Sequence, residues 1–397
     1  MDSFILNNTT RLIFGAGVLD KIGETIKEFG SHKVLLHCDG GDVLEKTGVL
    51  DRARFSLNKA GLKFVELGGV VPNPKLEKAK EGIALCKNES IDFIIALGGG
   101  STIDSAKCIA LGAVYDGDVW DFYGETPIAE PVSALPLAVV LTIPATGSEA
   151  NNSSVITKEP DLKRAVDNDF IRPKVAMLDP LVTYTVPPYI TATGVTDIIS
   201  HVMERYFVNG SENKLTDELC EASMRSGIYY GRKVIENPQN YEARANLMYL
   251  STITNNGTLA AGRGADLVSH MIEHELSGEF DINHGAGMAI VIPGWMDYVS
   301  HAQPEIFIKY ATRVWGIPYD FAQPEHVIPL GIQATRNYFR MLGMPSKLSE
   351  IVDPARLTDG VIMKIAKRVR RYHDDGTVGS AMRLDTQELF EIIKSIV

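Results

Sequence analysis

Five short β-rich runs, nearly all apolar, punctuate the first 180 residues: 33–37, 63–67, 93–97, 137–141 and 174–178. Amphipathic stretches of helix length, 44–60 and 74–88, lie between the first three. A strand apolar on both faces has to be covered on both faces, and helix-length connections supply the cover. The pattern predicts a parallel sheet flanked by helices, an α/β Rossmann-like domain.

After Asp179-Pro180 the pattern changes. Residues 191–208, 216–234, 241–261, 265–277 and 304–316 read as helices, with few β-branched runs between them. We expect an α/β domain over 1–180 and an all-helical domain over 181–397, which suits a 397-residue chain at roughly 100–200 residues per domain. Neither repeats nor a low-complexity linker interrupt the sequence. The two domains are therefore expected to pack closely, with the groove between them as the default ligand site.

A net charge of −11 argues against a general field for nucleic acid or anionic lipid. The run 364–371 (KIAKRVRR) is the one basic candidate, and its charges recur among apolar positions at helical spacing, as on a solvated helix face. Cys38, Cys86, Cys108 and Cys220 form no CxxC pair, which suits a reducing cytoplasm. The start Met1-Asp2-Ser3-Phe4 lacks the basic and apolar regions of a signal peptide. The longest nearly apolar stretch, 134–143, is too short to span about 30 Å of hydrocarbon. The expectation is a soluble cytoplasmic protein with no membrane or nucleic-acid partner.

Two loops carry cofactor chemistry. Gly98, Gly99, Gly100 and Ser101 follow a strand and precede a helix. Glycines let the backbone approach an anion, and Ser101 is expected to cap a helix whose free N–H groups favour phosphate. The pattern is neither GxGxxG nor a Walker loop, and a plain strand-to-helix turn remains an alternative. The second loop, 142–149 (TIPATGSE), also follows a strand, where ligands of open α/β sheets collect. Pro72-Asn73-Pro74 offers either a polar contact or a rigid turn. Asp39 and Asp42, placed in the loop after the first clear strand, would hydrogen-bond ribose hydroxyls and repel a 2′-phosphate, favouring NAD over NADP. Their Asp-Gly and Gly-Asp dipeptides are equally turn signals.

Three of nine histidines fall between His270 and His284. Asp197 and His201 are four apart on one helix face, and His270 and His274 repeat the spacing. His284 stands in Asn283-His284-Gly285, expected to be a small-residue bend before an apolar run. One carboxylate and three imidazoles suit a divalent first-row ion with a position left open for substrate. Surface pairs and helix-face residues are the competing readings. The other five histidines, His32, His37, His301, His326 and His373, read as structural or surface residues.

Taken in order, 10–17 (TRLIFGAG), 72–74 (PNP), 98–101 (GGGS), 146–149 (TGSE) and the histidine region resemble the iron-containing (group III) alcohol dehydrogenase family, in its butanol dehydrogenase and aldehyde reductase branch. The resemblance covers nearly the whole chain. It implies a Rossmann-like domain and an all-helical domain with the active site between them. It also implies Asp197, His201, His270 and His284 as metal ligands and His274 as the additional histidine near the nicotinamide. Gly98, Gly99, Gly100 and Ser101 would form the pyrophosphate loop. Asp104, Thr142, Thr146 and Ser148 match polar positions around the cofactor, and Lys163 matches a basic one. NADP-using relatives carry a Gly-Gly-Gly-Ser type loop after the first strand, where this chain has Cys38-Asp39-Gly40-Gly41-Asp42.

The expected function is hydride transfer between NAD(H), favoured over NADP(H), and a small primary alcohol or aldehyde. The metal would be Fe(II), with Zn(II) as the alternative, and His274 would relay the proton. The resemblance suggests a homodimer. Helix 249–259 with Trp295 or Phe280 is a candidate pocket lining, or simply core. A polyol dehydrogenase on the same plan, a metal-dependent hydrolase and a non-enzymatic sensing module are the competing functions.

Overall fold

A computed structural model describes residues 1–123, 127–160, 162–210, 213–369 and 373–397. The chain forms two compact units. One comprises residues 7–187 and 238–256, and the other residues 1–6, 188–237 and 257–397.

The first unit is built on a six-stranded, all-parallel sheet: β1 (Arg11–Phe14), β2 (Lys33–Asp39), β3 (Lys63–Val70), β4 (Phe93–Gly99), β5 (Leu137–Ile143) and β8 (Val175–Leu178). The spatial order is β1-β8-β5-β4-β2-β3. Between β5 and β8 an antiparallel hairpin, β6 (Ser153–Lys158) and β7 (Leu162–Asp167), stands apart from the sheet.

Alternate residues of each strand enter opposite cores, which is why the strand runs are apolar throughout. Leu35, Ile94, Ala96 and Val139 pack with helices α2 (Leu76–Glu89) and α3 (Gly100–Gly112). Val34, Leu36, Ile95 and Val140 pack on the other side, with Leu50, Ala53 and Leu57 of α1 (Val49–Lys59).

Four sequence expectations need correction. The strand after residue 32 runs on through Asp39, so Asp39 is its last residue and not part of the loop. Asp42 is exposed in that loop and pairs with Lys46. Sequence reading gave neither β1 nor the β6–β7 hairpin. The helix expected over 241–261 ends at Thr254, and it belongs to the sheet-bearing unit, not the helical one. Met248 explains this, because it is wholly buried in the core under α2 and α3.

The second unit is helical: α4 (Pro188–Tyr206), α5 (Lys214–Glu236), α7 (Val268–Phe280), α8 (His284–Val299), α9 (Val327–Met341), α10 (Asp359–Arg368) and α11 (Thr386–Ser395), with α6 (Tyr241–Thr254) the helix just assigned to the first unit. Helix α8 is buried almost all round, and its Trp295 packs on Phe207 as core. Among the described residues no helix is long and apolar enough to cross a membrane. In the basic run, Lys364 pairs with Glu279 and Arg368 with Glu275 and Glu279, while Arg370 and Arg371 lie outside the described residues.

Candidate metal centre and cofactor loops

Helix α4 is buried over most of its length, so the four-residue spacing of Asp197 and His201 aims both side chains at one interior spot. His270, on α7, arrives at the same spot. So does His284, which corrects the expected bend: it is the first residue of α8, whose cap is the Asn283 side chain accepting from the Ala286 N–H at 3.2 Å. Small residues in that first turn admit close neighbours, and a Cβ on Gly285 would meet the Thr193 carbonyl oxygen at 2.3 Å.

The Nε2 atoms of His201, His270 and His284 lie 3.5, 3.6 and 3.4 Å from Oδ1 of Asp197. Four donors on a tetrahedral ion with bonds near 2.1 Å stand about 3.4 Å apart, so the spacing fits a shared cation. Both Asp197 oxygens are buried without a hydrogen-bond partner among the described residues. A buried carboxylate left that way is costly unless a cation meets it. The donor set, one carboxylate and three imidazoles, therefore fits a divalent metal ion.

The charges agree. Burial opposes ionisation of Asp197, but His201 and His284 override it and hold the carboxyl well below its usual range. Burial pushes His201 well down toward the neutral form that ligates metal. Burial opposes a charge on His284 too, yet Glu273 and Asp197 raise it to about 10. His274 is half-buried beside this group, its ring 5.7 Å from that of His284 and 6.1 Å from that of His270. Glu273, His274 and His284 also present ligand-type atoms near one another, but Glu273 is taken up by Nδ1 of His284 and the Ser277 hydroxyl.

In the sheet unit, Asp39, the glycine loop and the loop from Thr142 lie at the carboxyl ends of neighbouring strands β2, β4 and β5, where ligands of such sheets bind, while Asn73 follows β3 and Lys163 lies in β7. Helix α3 begins at Gly100 and its cap residue is Gly99, with no side-chain cap. Ser101 is therefore not the cap, as expected from sequence, but sits within the first turn. Leaving the first N–H groups uncapped suits an anion.

The glycines also serve packing. A Cβ on Gly98 would lie 2.4 Å from Oδ1 of Asp39, and one on Gly100 would lie 2.7 Å from Oγ1 of Thr146. Asp39, drawn in against Gly98, accepts from the Thr102 hydroxyl, and burial raises its carboxyl. Thr142 presents a buried hydroxyl without a hydrogen-bond partner among the described residues. Thr146 accepts from the Ser148 N–H at 3.2 Å, and the Ser148 hydroxyl donates to Asp104 at 2.6 Å.

Asn73 takes a left-handed conformation (φ 54°), and its Oδ1 accepts from Nζ of Lys163 at 3.0 Å. The hairpin brings Lys163 there, because the Thr157 N–H of β6 bonds the Pro74 carbonyl at 2.8 Å.

Sequence reading missed three buried residues that brace these groups. Lys107, wholly buried on α3, donates to Ser148 of the second loop and to Asn151 and Ser153 just beyond it. Glu204 lies 2.5 Å from Nδ1 of His270, and Glu273 contacts Nδ1 of His284. Sequence carries only a repeated offset, His201 with Glu204 and His270 with Glu273, each three apart, and the observed partners lie on other helices.

Residues 9–180 match the family described as iron-containing alcohol dehydrogenase, and residues 191–397 match its C-terminal part. The chain is 39% identical to NADH-dependent butanol dehydrogenase A of Clostridium acetobutylicum over 99% of both chains. It is 36% identical to NADPH-dependent aldehyde reductase YqhD of Escherichia coli over 88% of this chain and 89% of that one. Its fold superposes on the crystal structure of NADH-dependent butanol dehydrogenase A of Thermotoga maritima with a TM-score of 0.93 at 39% identity, covering 100% of this chain and 99% of that one. The chain belongs to the iron-containing alcohol dehydrogenase family.

Proposed function

We propose that this protein is a metal-dependent alcohol dehydrogenase and aldehyde reductase, moving hydride between a nicotinamide dinucleotide and a small primary alcohol or aldehyde of the butanol type. The observation that carries the reading is the Asp197 carboxylate, its oxygens buried without hydrogen bonds and three imidazole nitrogens ranged around one of them. The full-length relatives named for butanol dehydrogenase and aldehyde reductase activity support the same reaction.

Asp197, His201, His270 and His284 would hold the ion, with Fe(II) favoured and Zn(II) the alternative for an all-nitrogen-and-oxygen donor set. When bound, the ion supplies Lewis acidity toward a substrate oxygen and the dinucleotide supplies the hydride chemistry. The uncapped N–H groups from Gly100 onward, behind Gly98 and Gly99, receive the pyrophosphate together with Ser101. Thr142, Thr146 and Ser148 line the same strand ends, Asp104 anchors Ser148, and the Asn73–Lys163 pair adds a donor. Asp39 stands at the end of β2, where its carboxylate accepts from ribose hydroxyls and repels a 2′-phosphate, which favours NAD. His274, half-buried beside His270 and His284, carries the proton between the substrate oxygen and solvent. We assign a homodimer to the protein, in line with the family resemblance.

The test is to strip the protein with a chelator, assay butanol oxidation and butyraldehyde reduction by nicotinamide absorbance, then restore Fe(II) or Zn(II). Activity that disappears and returns with the ion supports the reading. Activity indifferent to both steps overturns it.

A further inference from the structure

Two of the three helices that carry the imidazoles also carry buried glutamates at the same offset. His201 is followed three residues on by Glu204 on α4, and His270 three residues on by Glu273 on α7. Each glutamate reaches a histidine on another helix. Glu204 reaches across to α7, where one oxygen accepts from the His270 N–H at 3.0 Å and the Ser269 hydroxyl at 2.7 Å, and the other lies 2.5 Å from His270 Nδ1. Glu273 reaches on to α8, where it contacts His284 Nδ1. Each glutamate therefore engages an imidazole on the next helix, α4 to α7 and α7 to α8.

The third helix keeps room for this arrangement. At the same offset after His284 stands Gly287, and a Cβ there would lie 2.8 Å from both Cγ and Oε1 of Glu273. Any larger residue would displace the glutamate. His201 is backed differently: Arg205 Nη1 lies 3.4 Å from its Nδ1 and donates to its carbonyl at 2.7 Å.

We propose that Glu204 and Glu273 are positioning residues for the metal centre, with Gly287 reserving the space that Glu273 needs. A carboxylate on Nδ1 keeps the proton on that nitrogen, so Nε2 faces Asp197 with its lone pair free, and it fixes the ring plane. This rests on the metal-binding reading above and adds the groups that orient two of its imidazoles.

The two glutamates differ in what a Gln replacement does. In Glu204→Gln, the His270 N–H requires the remaining oxygen on its side, so the new amide N–H₂ faces His270 Nδ1. That donor favours the tautomer with its proton on Nε2, which blocks ligation. In Glu273→Gln, the other oxygen accepts from the Ser277 hydroxyl, a group that can donate or accept, so the amide can turn and keep oxygen on His284.

The experiment uses metal-free full-length protein and the metal alone. Zn²⁺ affinity is measured by competition with a chromophoric chelator, and Co²⁺ is added to read its visible absorption. Thermal unfolding of each metal-free protein is measured alongside. Glu204→Gln is expected to weaken Zn²⁺ binding by about 10–100-fold and to alter the Co²⁺ spectrum, while metal-free unfolding changes little. Glu273→Gln is expected to weaken binding by less than Glu204→Gln. Gly287→Ala, which removes no charge, is expected to weaken it at least as much as Glu273→Gln. If wild type binds Zn²⁺ and Glu204→Gln and Gly287→Ala bind it within twofold as tightly, the positioning role is overturned and the metal reading stands. An affinity loss matched by an equal loss of metal-free stability also overturns it, since bracing of the fold would then account for both. If wild type itself takes up neither ion, the metal reading falls and this inference falls with it.

Discussion

The Lys107 ammonium, wholly buried on α3, donates to Oδ1 of Asn151 at 2.6 Å, tying the helix of the glycine loop to the second cofactor loop. Its other donors meet the Ser148 hydroxyl at 2.9 Å and the Ser153 carbonyl at 2.8 Å. Burial pulls this lysine down to about 8, and the charges of Asp104 and Glu149 oppose the fall. Lys107→Met would leave those acceptors buried and unmet, at a cost of about 3 kcal/mol. We expect lower resistance to urea and dinucleotide binding weakened at least tenfold, with metal content unchanged. Fluorescence titration of NADH against the variant checks the second point, and an unaltered dissociation constant would show that the tie is not needed by the loop.

Asp39 is held at the end of β2 by the Thr102 hydroxyl and packs against Gly98. Asp39→Gly removes the carboxylate at that strand end and the repulsion it would offer a 2′-phosphate. The ratio of kcat/KM with NADP to that with NAD should rise at least tenfold, a change of about 1.4 kcal/mol in discrimination. Steady-state kinetics with both cofactors measures it. A constant ratio would make Asp39 a packing residue alone.

The parts of this structure that could be read in the sequence are those whose signal is local. Strands 93–99 and 137–143 are buried on both faces and announce themselves as apolar runs, and Asp197 with His201 announces a shared helix face by spacing. What stayed hidden depends on tertiary contact. Arg11–Phe14 has only four residues, too short a run to stand out although three of them are apolar, and it becomes a strand through pairing with Val175–Leu178. The hairpin strand Leu162–Asp167 carries Lys163, Arg164 and Asp167, and no Asn-Gly or Asp-Gly marks its turn. His284 opens a helix even though Gly285, Gly287 and Pro293 argue locally against one. Burial on every side and the Asn283 cap outweigh them. Helix α6 carries nothing in its sequence that assigns it to the sheet, since only the place of Met248 in that core does so.

His270 contacts Glu204 through Nδ1 and faces Asp197 through Nε2, so truncation removes both a donor and the link between α4 and α7. His270→Ala should abolish metal retention and turnover, while the sheet unit still binds dinucleotide. Metal analysis of the purified variant beside an NADH titration separates the two. A variant with full metal content would remove His270 from the ligand set.

Gly100 and Thr146 meet where the two cofactor loops approach. A Cβ on Gly100 would stand 2.7 Å from Oγ1 and 2.8 Å from Cγ2 of Thr146, so Gly100→Ala drives the loops apart. Overpacking of this kind costs about 1–3 kcal/mol, and it falls on the segment proposed to receive the pyrophosphate. KM for the dinucleotide should rise several-fold with little change in metal affinity. A KM equal to that of wild type would mean that the loop absorbs the methyl group elsewhere.

His37 lies in β2 with both ring nitrogens occupied, Nδ1 at 2.9 Å from the Leu67 carbonyl and Nε2 at 2.9 Å from the Ser105 hydroxyl on α3. The first contact requires a proton on Nδ1, so Nε2 is the acceptor and the ring is neutral. Burial lowers the residue to about 4, against 6.5 when exposed. Because the folded value lies below the unfolded one, the unfolded chain binds more protons between pH 6.5 and 4. Stability is therefore fully present above about pH 6.5, is lost as pH falls through that window, and ceases to change on this account below 4. By pH 5 the loss amounts to about 2 kcal/mol. His37→Asn keeps a donor near the Leu67 carbonyl but cannot take up the proton. It should be less stable than wild type at pH 7.5, where the Ser105 contact is missing, and should close or reverse that gap at pH 5. Urea unfolding of both proteins at the two pH values measures the difference. A gap of equal size at both would show that His37 does not contribute to acid sensitivity.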